Sequence, residues 1–138
     1  MLHAAQRREL DPAVSALLRT IRRQESHVQQ HNQRVVRVAV SLGKRLSLDQ
    51  ASLTVLTAGA LLHDLGKFLV PAGILNKPGR LSRREWEIMR EHPLHSQQLC
   101  EALPWLEVAL PIIRAHHERL DGSGYPDGLA GSKIPLLA

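Results

Sequence analysis

Residues 48–63 are apolar on nearly every side, and this segment limits the possible folds more than any other part of the chain. Its hydrophobic residues leave no polar helix face: Ala51, Leu53, Val55, Leu56, Ala58, Ala60, Leu61 and Leu62. A helix that is apolar all round is stable only when other elements surround it. We therefore expect a central, buried helix here, opened by a capping box formed by Ser47 and Gln50.

Hydrophobic residues at helical spacing also precede this segment. Asp11 and Pro12 are typical of an N-cap and a first helical residue. Apolar residues follow at spacings of three, four or seven: Val14, Leu17, Leu18, Ile21, Val28, Val35, Val38, Ala39, Leu42 and Leu46. The spacing leaves open whether one long helix or two carry them.

Prolines and glycines divide the second half of the chain into short helices. Residues 68–79 hold two prolines and two glycines and are predicted to form an ordered loop. Ser82 and Glu85 have capping-box spacing ahead of a helix that Pro93 ends or restarts. Residues 105–118 are predicted to be helical, with a break at their internal proline. Because no alternating strand pattern is found, the predicted class is all-α.

Composition excludes several classes of protein. Aromatic residues make up only 3% of the chain, which argues against folds that stack single-stranded nucleic acid, and no basic helix indicates DNA binding. No apolar run reaches the roughly 18 residues of a membrane helix. The single cysteine cannot form an internal disulfide, so we expect a cytoplasmic protein. The protein has a net charge of +5, and we expect most of its charged side chains to lie on a solvated surface.

The chain has eight histidines although it has few aromatic residues. Histidine is the commonest metal ligand. His63 and Asp64 follow the most apolar segment, where a buried imidazole and carboxylate are costly unless each has a partner. A metal ion would partner both groups. The alternative is a helix end with ordinary polar caps.

Further histidines lie at predicted helix ends or breaks. His116 and His117 are adjacent and are followed by Glu118 and Asp121. Since neighbouring helical residues diverge by about 100°, we expect the pair to reach two different ions rather than to chelate one. His31, with His27 one turn earlier, and His92, at a helix break before a proline, complete a set that favours a metal cluster.

Three motifs resemble those of one family. H-D-L-G-K at 63–67 resembles the signature of the HD superfamily of metal-dependent phosphohydrolases. P-A-G-I-L-N-K-P-G-R-L at 71–81 and H-H-E-R-L-D-G-S-G-Y-P-D-G-L at 116–129 are similar to the HD-GYP subfamily, bacterial phosphodiesterases that hydrolyse cyclic di-GMP. The resemblance implies an all-α, HD-domain helical bundle.

The resemblance also implies roles for the matching residues. It implies metal ligands at His31, His63, Asp64, His92, His116 and His117, with the aspartate bridging two metals. Lys67 is implied to contact the scissile phosphate or to assist proton transfer, which makes Asp64 and Lys67 the catalytic candidates. Gly124, Tyr125 and Pro126 are implied to shape the substrate pocket and to contact diguanylate cyclase (GGDEF) domains.

The residues themselves are compatible with these roles. Imidazole and carboxylate ligands without thiolates suit iron, manganese or zinc, and two ions can clamp both oxygens of an in-line displacement. We expect two divalent ions, iron or manganese, with a third if His27 serves where three-metal relatives carry a glutamate. Arg80 is a candidate for binding a phosphate oxygen, with a solvated loop position as its alternative. Tyr125 is a candidate for contacting a guanine or a protein partner.

The family's last ligand is an aspartate in a helix beyond an Ile-Pro-Leu segment. That segment is present at 134–136, and the printed sequence ends at Ala138. We therefore expect an N-terminal helix over residues 1–24 and an HD-GYP domain over residues 25–138 that is incomplete at its C-terminus.

The expected function is metal-dependent hydrolysis of cyclic di-GMP to linear pGpG or GMP in bacterial signalling. The alternative is a non-catalytic module of the same fold that binds cyclic di-GMP or a diguanylate cyclase (GGDEF) domain. For either function, GGDEF domains or an upstream sensor domain are the expected partners. The missing final aspartate and the presence of His27 favour that alternative, whereas the intact His63, Asp64 and Lys67 and the paired histidines oppose it. A third alternative is hydrolysis of another nucleotide.

Overall fold

The computed structural model describes residues 26–138, and for residues 26–29 it describes the backbone only. The predicted helix over residues 1–24 and the side chain of His27 therefore lie outside the described part. Between residues 26 and 138 the chain is helical without a named strand, and one isolated antiparallel bridge joins Asp121 to Ala130. The predicted all-α class is confirmed.

Six α-helices and three 3-10 helices follow one another in the described residues. The α-helices are α1 (Ser26–Arg45), α2 (Gln50–Leu62), α3 (Ala72–Leu75), α4 (Arg83–Met89), α5 (His92–Glu101) and α6 (Leu110–Ala115). The 3-10 helices are Leu65–Leu69, Pro104–Ala109 and Gly131–Lys133. None of the described helices has the length and apolar character needed to cross a membrane.

Helix α2 is central, because it packs against α1, α6 and the 3-10 helix before α6. Its N-cap is Asp49, whose carboxylate accepts from the Ser52 amide at 2.8 Å. The predicted capping box at Ser47 and Gln50 is wrong, because Ser47 adopts a positive φ of 58° and the chain turns there before the helix begins. Burial of α2 is also incomplete: Leu61 is 45% exposed and lines an open groove against α1.

The core lies where α2, α5, α6 and two of the 3-10 helices meet. Its buried residues are Leu62, Leu65, Cys100, Leu103, Leu106, Ala109 and Ile113. Full burial of a leucine or isoleucine side chain stabilises the fold by about 1.5–3 kcal/mol. Since Leu62 and Leu65 flank His63 and Asp64 in the chain, the core fixes the position of this pair from both sides.

The prolines set the breaks between the later helices. The capping box of Ser82 and Glu85 opens α4 as predicted, and α5 restarts with Pro93 in its first turn. Helix α6 likewise restarts with a proline in its first turn, where the missing amide costs no helical hydrogen bond. The loop predicted over residues 68–79 is wrong in part, because Pro71 directly precedes the short helix α3.

Gly66 allows the segment after α2 to approach α5 closely. Its amide donates to the Ser96 hydroxyl at 2.7 Å, and that hydroxyl donates to the His63 carbonyl at 2.6 Å. A Cβ atom at Gly66 would overlap the His92 carbonyl oxygen and would lie 2.5 Å from the Ser96 amide nitrogen. Both neighbours are backbone atoms, so a side chain at this position requires the helix to move.

We predict that Gly66→Ala lowers the free energy of unfolding by about 3 kcal/mol, the upper end for an overpacked site. Chemical denaturation measures the change. Gly73→Ala is the control, because no atom lies within 4 Å of its Cβ position, and alanine favours a helix by about 1 kcal/mol over glycine. Equal unfolding free energies for the two variants would contradict the close packing.

Candidate metal centre

The centre is built around Asp64, which follows α2 and the α2 C-cap residue His63. The Asp64 side chain is only 7% exposed. Its Oδ2 atom lies 3.2 Å from His63 Nε2, and its Oδ1 atom lies 3.3 Å from His92 Nε2 and 3.9 Å from His116 Nε2. Three imidazoles from three parts of the chain therefore surround one carboxylate.

Backbone carbonyl groups fix the orientation of these rings. The Nδ1 atoms of His63, His92 and His116 each lie 2.8 Å from the carbonyl oxygen three residues earlier. A carbonyl only accepts, so each Nδ1 carries a proton, and whenever such a ring is neutral its lone pair is on Nε2, the atom that faces the carboxylate. Metal-ligating histidines commonly make such a second hydrogen bond.

The donor atoms fit a cation. His92 Nε2 and His116 Nε2 lie 3.2 Å apart and each offers a lone pair when its ring is neutral, and the buried Asp64 Oδ1 atom has no hydrogen-bond partner. Burial, with His117 and His63 nearby, lowers the pKa of His116 to about 3, so this ring is neutral at physiological pH. Three acceptors around one point repel one another unless a positive charge lies between them, and a metal ion would supply that charge.

Asp64 is also kept ionised. Burial by itself would raise the pKa of this carboxyl group. Contacts with His63 and His92 and the charge of the Lys67 ammonium outweigh that effect and hold the pKa well below its usual range. The carboxylate is therefore ionised, and available as a metal ligand, at neutral pH.

Two groups of ligand atoms share Asp64. One contains Asp64, His92, His116 and His117, and the other contains His31, His63 and Asp64. Within each group the ligand atoms lie within 4.8 Å of one another. Because His92 is the imidazole nearest to Oδ1 and His63 the imidazole nearest to Oδ2, the arrangement could hold one cation on each side of the carboxylate.

His116 and His117 belong to the same group, so the expectation that they would diverge is wrong. Helix α6 ends at Ala115, and both residues lie in the turn beyond it. Their ring centroids are 4.3 Å apart. The expected separation of about 100° assumed that the helix continued through both residues.

The Gly124-Tyr125-Pro126 loop packs directly on this group. The Tyr125 ring stacks on His117, with centroids 4.6 Å apart and planes 20° from parallel. The Tyr125 amide donates to the His117 carbonyl at 3.2 Å. Gly124 is buried against the backbone of Glu118, where a Cβ atom would overlap main-chain atoms, so glycine is needed at this position.

Two residues that hold the loop were missed by the sequence analysis. Glu118 was grouped with carboxylates near the histidines, but it accepts from the three successive amides of residues 127–129 at 2.7, 3.1 and 2.9 Å. Arg114 donates to both Asp127 carboxylate oxygens at 2.6 Å. The only signal in the sequence is that Glu118 lies next to the paired histidines, and this does not identify its partners.

The remaining candidates differ in position. Lys67 donates to Asp64 Oδ2 at 2.7 Å and is 35% exposed. His31 is exposed on α1, with its ring centroid 6.3 Å from that of His63. Arg80 is exposed between α3 and α4 and makes no hydrogen bond or ion pair with any residue of the described range, so the structure does not join it to the centre.

One known protein family matches most of this chain. The HD domain model matches residues 16–138 of the chain. The chain belongs to the HD-domain family. This membership confirms the family predicted from the motifs. HD domains are metal-dependent, and this one contains a histidine and aspartate cluster that could bind metal.

Curated relatives of this HD domain are named phosphodiesterases. The cyclic di-GMP phosphodiesterase response regulator RpfG of Xanthomonas campestris is 36% identical over 91% of the chain and 34% of its own length. A 3'3'-cGAMP-specific phosphodiesterase of Vibrio cholerae is 33% identical over 93% of the chain and 28% of its own length. A cyclic di-GMP phosphodiesterase of Thermotoga maritima is 35% identical over 87% of the chain and 33% of its own length. The chain thus spans about a third or less of these relatives.

We predict that His63→Ala or Asp64→Ala removes bound metal while much of the helix content remains. Each substitution deletes a ligand atom from the shared cluster, whereas the core residues are unchanged. Elemental analysis of anaerobically purified protein gives the metal content, and far-ultraviolet circular dichroism gives the helix content.

His95→Ala is the matched control for this prediction. His95 is three residues after His92 on α5, but it belongs to neither ligand group. Its variant should keep the metal content of the unsubstituted protein. Unsubstituted protein without stoichiometric metal, or an Asp64→Ala variant that keeps its metal, would refute the assignment.

We also predict that the metal-free protein loses stability as the pH falls from about 7 towards 4. Burial lowers the pKa of His116 to about 3 and that of His117 to about 4, whereas unfolded histidine titrates near 6.5. Between these values the unfolded chain binds more protons, so the free energy of unfolding decreases with falling pH. Urea denaturation in chelator at pH 7.5 and pH 5 measures this, and His116→Gln should reduce the difference. An equal pH dependence in that variant would contradict the assignment.

Proposed function

We propose that this HD domain hydrolyses a phosphodiester bond of cyclic di-GMP, giving linear pGpG or GMP, and that it serves bacterial second-messenger signalling. The observation that carries the proposal is the buried Asp64 carboxylate with a group of ligand atoms on each of its two sides. The names of the relatives from Xanthomonas and Thermotoga support the same substrate.

We propose that His31, His63 and Asp64 hold one divalent ion, and that Asp64, His92, His116 and His117 hold another. The nitrogen and oxygen donors without thiolate favour iron or manganese. When bound, such ions polarise phosphoryl oxygens and lower the pKa of water. A third ion would need His27, whose side chain lies outside the described part of the chain.

Lys67 is proposed to act on the substrate phosphate. Its ammonium group has three N–H donors, and one of them is used by Asp64 Oδ2. The group is partly exposed beside a carboxylate that both ligand groups share, so its remaining donors can hold a non-bridging phosphate oxygen as charge develops there. Lys67 would also be placed to give a proton to the leaving oxygen.

The Gly124-Tyr125-Pro126 loop is proposed to form one wall of the substrate pocket. Its position against His117 supports this role. We also propose that the outer surface of the loop contacts partner domains, with a GGDEF domain or an upstream sensor as the partner. The hydrogen bonds of Glu118 to the loop and the Arg114–Asp127 ion pair would hold that surface in a single conformation.

A second candidate substrate is 3'3'-cGAMP. Three relatives from Vibrio cholerae are named 3'3'-cGAMP-specific phosphodiesterases, and they are 33–38% identical to this chain. A non-catalytic binding module of the same fold is less well supported, because both ligand groups and Lys67 are present. Substrate choice therefore has to be measured with both cyclic dinucleotides.

We predict that protein loaded anaerobically with iron or manganese hydrolyses cyclic di-GMP, because a polarised phosphate and an activated water would then lie beside Lys67. Chromatography of the nucleotides measures cyclic di-GMP and 3'3'-cGAMP consumption in parallel. Lys67→Gln should lower kcat about 100-fold, because it removes the positive charge that would contact the phosphate. It should leave the metal content unchanged.

The outcomes separate the alternatives. Hydrolysis of only 3'3'-cGAMP would replace the proposed substrate with the second candidate. Binding of cyclic di-GMP by metal-loaded protein without turnover would favour the non-catalytic module. An unchanged kcat for Lys67→Gln would remove the proposed role of that residue. Lys133→Gln, a charge-matched substitution in the last 3-10 helix, is the control.

A further inference from the structure

Trp86 and Arg90 form a corner beside the metal centre that the proposed chemistry does not use. They lie one helical turn apart, and the Arg90 amide donates to the Trp86 carbonyl at 3.0 Å. Both side chains reach Tyr125. The Arg90 guanidinium carbon is 4.8 Å from the Tyr125 ring centroid, and the Trp86 ring lies 6.1 Å away at 75° to it.

Tyr125 connects this corner to the ligand atoms. The same ring stacks on His117 at 4.6 Å, so Arg90 lies one aromatic ring away from a member of the cluster. His117 and Arg90 both contact the Tyr125 ring, so that ring already packs against protein and offers little surface for a ligand to stack on. The open aromatic surface in this corner belongs to Trp86, which is 46% exposed.

The Arg90 side chain has unused hydrogen-bonding capacity. It is half-buried, yet within residues 26–138 its guanidinium makes no hydrogen bond or ion pair. A guanidinium has five N–H donors, and a contact with an aromatic ring satisfies none of them. Arg114 shows the usual outcome in this chain, with two hydrogen bonds to one carboxylate. A bound molecule with two adjacent acceptors could pair with the Arg90 guanidinium.

We propose that Trp86 and Arg90 form a guanine-binding subsite, in which the base stacks on the indole and Arg90 donates to guanine O6 and N7. This inference rests on the proposed function and specifies which base the site reads. Two parallel N–H groups match the two acceptors of guanine. Adenine presents an amino donor in place of O6, so the subsite rejects it.

The subsite also suits the geometry of a cyclic dinucleotide. One phosphodiester would lie at the metal centre, and the base of the adjoining nucleotide extends away from that phosphate. Tyr125 separates the two positions as a common wall. Stacking on the indole would contribute about 1–3 kcal/mol for either purine, whereas Arg90 would supply the discrimination between them.

The test measures the affinity of metal-loaded protein for GMP and for AMP, which share a phosphate and are not hydrolysed as diesters. Isothermal titration calorimetry should give about tenfold tighter binding of GMP. Arg90→Gln should weaken GMP binding about tenfold and leave AMP binding unchanged. Trp86→Ala should weaken both, because stacking does not distinguish the bases.

Two further variants make the result decisive. Arg90→Lys keeps the positive charge but loses the two parallel donors, so it should also lose the preference for GMP. Arg84→Gln, an equal change of charge at an exposed residue of α4, should keep that preference. Thermal melting and metal content are measured for every variant, and the comparison is made among those that match the unsubstituted protein.

Other outcomes would overturn the subsite. Equal affinities for GMP and AMP, or equal weakening of both by Arg90→Gln with recovery in Arg90→Lys, would show that Arg90 binds phosphate and does not read the base. Failure to bind either nucleotide would also refute it. The hydrolysis assay on cyclic di-GMP is independent of these measurements, so hydrolysis without a GMP preference would remove the subsite and leave the proposed function in place.

Discussion

A buried carboxylate with imidazole nitrogens facing both of its oxygens is the constraint on which the rest of the structure depends. Removing Asp64 from water costs several kcal/mol unless positive charge compensates it, and the Lys67 ammonium contacts only its Oδ2 atom. The rings of His63, His92 and His116 each use Nδ1 on a backbone carbonyl and turn Nε2 towards the carboxylate. The polypeptide therefore brings together a carboxylate and imidazole nitrogens that could hold added cations.

The surrounding helices serve to keep this arrangement in place. Leu62 and Leu65 anchor the Asp64 segment in the core, and backbone carbonyls rather than side chains orient three of the rings. A carbonyl three residues earlier is available wherever a helix or turn ends, which explains why the histidines lie at the ends and starts of helices. The same local geometry thus recurs at three ligands from distant parts of the chain.

The sequence was sufficient for the features that local patterns determine. The all-α class, the capping box at Ser82 and the helix restarts at proline were predicted correctly, because each depends on residues within one or two turns. The shared group of His116 and His117 was not, since it depends on the residue at which α6 ends. The partners of Glu118 were missed for a related reason: a carboxylate that binds amides nine to eleven residues later leaves no periodic pattern.

The Ser96 hydroxyl has a consequence for the choice of ion. It bonds the Gly66 amide and the His63 carbonyl at once, and it lies one helical turn after His92. One oxygen atom therefore sets the gap between the segment that carries one ligand group and the helix that carries part of the other. Both hydrogen bonds join protein groups only, so this distance does not depend on a metal–ligand bond. Ligand side chains held at a distance set by protein hydrogen bonds would favour ions whose radius suits that distance.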